Sequence, residues 1–377
     1  MLFRSALTQV RLAPLTDYTA CQSALEAACG DLSWVTPGMK IAVKVNLVSG
    51  APPEKAITTH PLLVAALTKL LIARGAEVVV GDSPGGLFTP AFLQRVYHLS
   101  GYEIVKEAGA TLNLDCATVD TDFPQGAVLH QFTYTKWLTD CDAIINFCKL
   151  KTHGMMGMTA AVKNLFGAIP GAMKPEYHFR FPNAADFAKM LTDLSCFFRP
   201  RLHLVDAVVA MEGNGPTSGK PRQLGLLLGS EDPFALDEVC AQVLGCTAVP
   251  TLEAARALGR VPEFTVTGGD PAAFRLADFV LPPLGSTLFR SVLPGKAGEA
   301  FGRIVQAALS PRPMLTGETC VGCGKCASIC PAKAITMVRG KPKICRKTCI
   351  RCFCCQEFCP KGALKAQRTK LARLLSP

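Results

Sequence analysis

The stretch Cys320-Val-Gly-Cys323-Gly-Lys-Cys326-Ala-Ser-Ile-Cys330-Pro331 recurs as Cys349-Ile-Arg-Cys352-Phe-Cys-Cys355-Gln-Glu-Phe-Cys359-Pro360. Both read C-x2-C-x2-C-x3-C-P. In two-cluster iron–sulfur proteins this spacing wraps three thiolates around one cubane and sends the fourth to the other cluster. The rule assigns Cys320, Cys323, Cys326 and Cys359 to one 4Fe-4S cluster, and Cys330, Cys349, Cys352 and Cys355 to a second. Neither half completes its ligand set alone, so residues 317–367 are expected to fold as one small α+β unit. Structural zinc prefers separated ligand pairs, and disulfides between cysteines three residues apart would be strained. Cys345 and Cys354 are extra thiols whose roles the spacing leaves open.

Working outward, charge separates this unit from the rest. The chain carries a net +11. From Thr316 onward there are 13 Lys and Arg against 2 Asp and Glu, whereas the preceding residues hold 27 of each sign. The excess therefore sits on the cysteine-rich unit and its tail, residues 368–377. It would stabilise the anionic clusters and could attract an acidic redox partner protein. No recognised nucleic-acid module accompanies it. No charge-free run is long enough for a transmembrane helix, and no signal-peptide pattern opens the chain. The other eight cysteines are scattered, which suits a reducing compartment. A cytoplasmic location away from the membrane is the expectation.

The long N-terminal part alternates strand and helix patterns. Strands are expected at 3–10, 39–48, 76–80, 111–114, 143–147, 201–211, 223–229 and 264–267. Helical spacing occupies 18–28, 61–74, 90–98, 102–108, 184–198 and 233–244, the last opened by Asp232-Pro233 as cap and first residue. Such alternation implies an α/β architecture with a largely parallel sheet flanked by helices, over residues 1–270. Six prolines then punctuate 271–316, read as a connector with one helical piece near 297–309. Residues 335–344 read as a hairpin.

Residues 146–167, Asn-Phe-Cys-Lys149-Leu-Lys151-Thr-His153-Gly-Met-Met-Gly-Met-Thr-Ala-Ala-Val-Lys163-Asn164-Leu-Phe-Gly167, read as a strand ending near Cys148, a basic loop, and a helix beginning near Gly157. Strand-to-helix loops lie at the carboxyl edge of a parallel sheet, where ligands bind. A helix start there would add free N–H groups. The expected occupant is an anionic small molecule. Other ligand-binding candidates are Lys44 and Asn46 on a strand, Asp82 and Ser83 in a Gly/Pro loop, and Asp206 and Glu212 on and after a buried strand. Residues 213–221 look superficially like a phosphate loop. They fail its pattern, with Asn214 where Gly is needed and Pro221 where Ser or Thr is needed.

Residues 317–365 resemble the bacterial two-cluster ferredoxin module, with all eight ligand positions filled. Residues 38–245 resemble the uncharacterised family known as domain of unknown function 362. The matching stretches are Lys44-Val-Asn46-Leu, Gly81-Asp82-Ser83-Pro84, Lys149-Leu-Lys151-Thr-His153, Lys163-Asn164-Leu-Phe-Gly167 and Glu231-Asp232-Pro233-Phe-Ala-Leu-Asp237. The resemblance implies a cytoplasmic iron–sulfur protein and supplies no reaction. Besides a binding or sensing module whose clusters are structural, two functions compete. One is a redox enzyme passing electrons between two 4Fe-4S clusters and an anionic ligand in the α/β part. The other is a non-enzymatic electron carrier or maturation factor that docks a partner protein.

Overall fold

Apolar, β-branched runs form the middle of a nine-stranded sheet, and helices with one apolar face cover it on both sides. The computed structural model describes residues 7–282, 312–316 and 319–367. In chain order the first half contains β1 (Thr8–Pro14), α1 (Gln22–Cys29), β2 (Lys40–Lys44), α2 (Pro61–Ile72), β3 (Glu77–Gly81), α3 (Pro90–Leu99), α4 (Glu103–Glu107) and β4 (Thr111–Leu112). A side hairpin follows, β5 (Thr118–Asp122) and β6 (Gln131–Thr135). Then come β7 (Ala143–His153), β8 (Gly157–Thr159), α5 (Ala161–Asn164), α6 (Lys174–Arg180) and α7 (Ala184–Phe198). The body closes with β9 (Leu202–Glu212), β10 (Lys220–Ser230), α8 (Pro233–Leu244), α9 (Pro250–Ala257) and β11 (Phe264–Thr267).

The strand order is β11-β1-β10-β9-β7-β2-β3-β4, with β8 folded back on β7. The five strands from β9 to β4 are parallel. β10 reverses direction between β9 and β1. Helix starts carry local signals. Asp232 Oδ1 accepts from the Phe234 and Ala235 amides at 2.8 Å, with Pro233 as first residue of α8. Thr89 caps α3 in front of Pro90. On one face Leu25, Leu63, Leu67 and Leu71 pack against Ile41, Val43 and Ile145. On the other, Phe187, Leu191 and Leu194 of α7 meet Ile144, Val162 and Phe166. Each such side chain contributes about 1.5–3 kcal/mol on burial.

β7 departs from the sequence reading. The strand does not end near Cys148; it runs to His153, and all eleven of its residues are buried. Residues 149–153 are strand, and the turn into β8 follows them. Lysines and a histidine broke the apolar pattern, but each finds partners inside the protein. The β5–β6 hairpin and α9 also lie outside the expected elements; the first has alternating exposed polar residues and a thin apolar face.

The cysteine-rich unit contains β12 (Arg312–Leu315), α10 (Lys325–Ser328), β13 (Ile335–Val338), β14 (Lys341–Ile344), α11 (Cys354–Glu357) and β15 (Leu364–Gln367). β12 pairs antiparallel with β15, and β13 with β14. Part of the stretch read as connector thus pairs into this unit. At its other end, residues 271–282 pack on the body: Phe279 is buried beside α8, and the Gly213 amide donates to Val280 O at 2.7 Å. The expected helix near 297–309 and the tail at 368–377 lie outside the described residues.

The failed phosphate loop is where the cysteine-rich unit docks. Gln356 Nε2 donates to Gly215 O at 3.1 Å while its Oε1 accepts from the Ala366 amide at 2.7 Å. Thr217 Oγ1 donates to Glu357 O at 3.3 Å. Phe353 joins the hydrophobic cluster around α7. Among the described residues no helix is long and apolar enough to cross a membrane.

Candidate functional site

The cysteines first. Cys320, Cys323, Cys326 and Cys359 border one cavity together with Leu315 and Leu364. Cys330, Cys349, Cys352 and Cys355 border a second, with Cys354 beside them. These are the two sets drawn from the spacing. The Ala334 amide donates to Cys330 Sγ and the Ala363 amide to Cys359 Sγ, each at 3.2 Å. Equivalent N–H donors therefore serve the equivalent thiols of the two half-motifs, and such hydrogen bonds help set cluster potential. Among the described residues no three His, Cys, Asp or Glu side chains are placed to hold a single metal ion; the thiols ring a space instead. The donor set fits two cubanes. Cys345 is exposed and lines neither cavity, and a Thr348 hydrogen bond lowers its thiol pKa.

The second site lies at the carboxyl edge of the parallel strands. It gathers Lys44 from the end of β2, Asn46 just beyond, Asp82 and Ser83 after β3, Lys151 from β7, and Lys163 and Asn164 from α5. Thr159 of β8 and Lys174 and His178 of α6 also line it, and Glu357 and Phe358 of the cysteine-rich unit close it. These five residues were missed in the sequence. Lys174 and His178 belong to a helix without a strong pattern, and Glu357 is hidden inside the second cysteine motif.

Lys44 and Asp82 form a buried ion pair, Nζ to Oδ1 at 2.7 Å. Asp82 Oδ2 also accepts from the Leu47 amide at 2.7 Å. Gly167 packs so closely on this pair that a Cβ would strike both Asp82 Oδ1 and Lys44 Nζ. A chain of amides runs behind the cavity. Asn164 Nδ2 donates to Asn146 Oδ1 at 2.8 Å, Asn46 Nδ2 to Asn164 Oδ1 at 2.9 Å, and Lys151 Nζ to Asn46 Oδ1 at 2.6 Å. Lys151 also donates to Ile57 O at 2.8 Å. Burial, reinforced by the Lys163 charge, pushes its pKa down to about 7. Lys174 donates to Ser83 O, and burial brings its pKa to about 7 as well. The Lys163 ammonium makes no hydrogen bond or ion pair among the described residues; it lies over the Phe166 ring at 5.7 Å.

His153 fixes the junction with the cysteine-rich unit. Its Nδ1 accepts from the Met155 and Met156 amides at 3.2 Å, so the ring proton sits on Nε2 and points to Glu357 Oε1 at 2.8 Å. Burial lowers the His153 pKa to about 4, and the ring is neutral. Burial opposes ionisation of Glu357, yet the His153 hydrogen bond and nearby cations hold its pKa at about 2. A neutral imidazole thus donates to a carboxylate.

The remaining candidates are elsewhere. Lys149 and Asp206 are register partners on β7 and β9 and form a closed ion pair at 2.5 Å. Glu212 lies 3.8 Å from Arg222 and accepts from the Val280 amide at 3.1 Å. The helix start expected to bind an anion is α5, a single turn. Its Ala161 and Val162 amides already donate to Asp237, at 2.7 and 3.2 Å. Positive charge in this cavity comes from side chains.

A parallel α/β body with a cavity at its carboxyl edge, walled by a two-cluster ferredoxin-like unit, defines an iron–sulfur protein of composite build. Residues 41–242 match the model for the domain of unknown function DUF362, and residues 312–360 match that for 4Fe-4S dicluster domains. The chain belongs to the DUF362 family, and its C-terminal domain binds two 4Fe-4S clusters. It is 36% identical over 245 residues to the thylakoid-associated protein sll1697 of Synechocystis, covering 63% of this chain and 74% of that protein. Among solved structures, the lactate racemase apoprotein from Thermoanaerobacterium thermosaccharolyticum aligns over 64% of this chain at 13% identity, with a TM-score of 0.42. The alignment spans 58% of the racemase chain.

Proposed function

We propose that this protein is a redox enzyme: an anionic small molecule binds in the Lys151–Lys163–Lys174 cavity and exchanges electrons with the cluster domain. The observation that carries the reading is a set of unpaired polar atoms in one place. Ser83 Oγ, Thr159 Oγ1 and His178 Nδ1 are buried polar atoms without a partner, and all three residues line this cavity. Leaving such a group unsatisfied costs about 1–3 kcal/mol each, so three of them beside four lysines support a ligand site here.

The bound clusters supply single-electron transfer at low potential. The chain's own residues do the rest. Lys151 and Lys163 attract the anion, Lys174 and Ser83 hold its flank, and Asn46 and Asn164 keep Lys151 aimed. Glu357 and Phe358, between the second motif's last two ligands Cys355 and Cys359, bring the cluster domain to the cavity wall. Short separation between donor and acceptor follows from that contact. The basic excess on the cluster domain favours an acidic protein as its electron supplier.

The test is anaerobic. Protein loaded with about eight irons per chain is reduced and mixed with a small-molecule extract, and cluster reoxidation is followed by absorbance. Lys151→Met with Lys163→Met should keep the iron and lose the reoxidation. Unchanged reoxidation in that variant would contradict the reading.

A further inference from the structure

From the donor set of this cavity we infer the chemical class of its ligand: a tetrahedral dianion, a phosphate or the phosphate group of a small metabolite. The inference rests on the anion-site reading above and narrows it.

Charge comes first. Lys44, Lys151, Lys163 and Lys174 line the cavity together with Asp82 and Glu357. Four lysines against two acidic side chains favour an anionic ligand. Lys44 is committed to Asp82. Lys151, Lys163 and Lys174 are the groups with charge to offer. Burial depresses the pKa of each, and an arriving dianion would restore their protons.

Geometry comes second. The offered donors are the ammonium groups of Lys151, Lys163 and Lys174 and the hydroxyls of Ser83 and Thr159, with His178 able to donate from Nδ1 in one of its two neutral tautomers. They come from the loop after β3, from β7, β8, α5 and α6, so they converge from several sides. Each is a single-point donor. Among the described residues the cavity lining contains no arginine. A planar carboxylate is best met by a guanidinium fork, whereas lysines act on phosphate as point charges. Many single donors around one centre suit four oxygens arranged as a tetrahedron. Phe166 and Phe358 add apolar surface beside this polar floor. An organic portion attached to the phosphate has somewhere to lie.

The experiment is calorimetric titration of the anaerobically purified, cluster-loaded full chain. Three probes are used: inorganic phosphate, glycerol phosphate and malonate. Phosphate or its monoester should bind at least about tenfold more tightly than malonate. Thr159→Val and Lys163→Met should each weaken it about tenfold or more, the loss expected for one hydrogen bond to a charged group. Tighter binding of glycerol phosphate assigns a phosphorylated metabolite; tighter binding of inorganic phosphate assigns the free ion. Malonate binding as tightly as phosphate, with the same sensitivity to Lys163→Met, overturns the class while the anion site stands. Phosphate binding indifferent to both substitutions overturns the inference, because the ion then sits elsewhere. Binding of none of the three overturns the inference and the anion-site reading together.

Discussion

Lys149 and Lys151 sit two residues apart on β7, both fully buried, and they are put to opposite uses. An ammonium has three N–H donors. Lys149 spends all three: on Asp206 Oδ2 at 2.5 Å, on Tyr18 OH at 3.0 Å and on Val209 O at 3.0 Å. Its carboxylate partner is equally complete, accepting from Tyr18 OH and the His60 amide at 3.0 Å each. Lys151 spends two, on Asn46 and Ile57, neither of them a carboxylate. The third faces a cavity with further unspent donors around it. A buried lysine is thus no sign of a site by itself. What separates structure from site is whether the donor count closes.

The comparison can be broken first at its closed half. Asp206→Ala leaves Lys149 buried without a counter-charge and should cost about 3–5 kcal/mol, read by anaerobic urea unfolding. Anion affinity of the folded protein should not change. At the open half the effects exchange places. Lys151→Met should lower anion affinity about 10- to 100-fold, worth about 1.5–3 kcal/mol, while the ligand-free stability shifts by about 1 kcal/mol or less. If Lys151→Met proved the more destabilising of the two, the distinction would fail.

A smaller effect concerns pH. The pKa of Lys151 lies at about 7 in the folded protein against an ordinary 10.5. Between those values the unfolded chain binds a proton that the folded chain lacks, so the stability of ligand-free protein should rise with pH across this window. Anion affinity should fall across the same window as the charge is lost. Lys151 faces Lys163, Glu357, Lys149 and Asp82, and Lys174 titrates alongside it, so Lys151→Met should reduce both slopes without abolishing them. Parallel slopes would mean the lysines do not hold the anion. The smallest effect is at Glu357. Glu357→Gln keeps a hydrogen-bonding side chain beside His153 and removes one negative charge from the wall. It should strengthen dianion binding about threefold to tenfold, with iron content unchanged.

Much of this was readable in the sequence because the signals were local. The two cysteine motifs need only spacing, and the helix starts at Pro90 and Asp232-Pro233 need only their caps. The strand-edge lysines were visible as charges in apolar runs. Their sorting was not. Lys149 and Lys151 look alike in a string, and only the register of β7 against β9 sets Asp206 opposite Lys149. Glu212 likewise turns to Arg222 and the Val280 amide, partners distant in sequence. Asn146 reads as a lapse in a hydrophobic strand until Asn164 and His203 are placed beside it. Glu357 sits in a motif whose cysteines account for it fully. Its second role, at the wall of the α/β cavity, exists only once two domains are packed together.

The most direct measurement is where a tetrahedral dianion settles. Crystals of the anaerobic, cluster-loaded protein grown with tungstate would locate it by anomalous scattering. The account predicts a peak within hydrogen-bond reach of Lys151, Lys163 and Thr159, on the cavity side of Glu357, and its loss in Lys151→Met with Lys163→Met. An empty cavity, with tungstate bound only on the basic surface of the cluster domain, would contradict it.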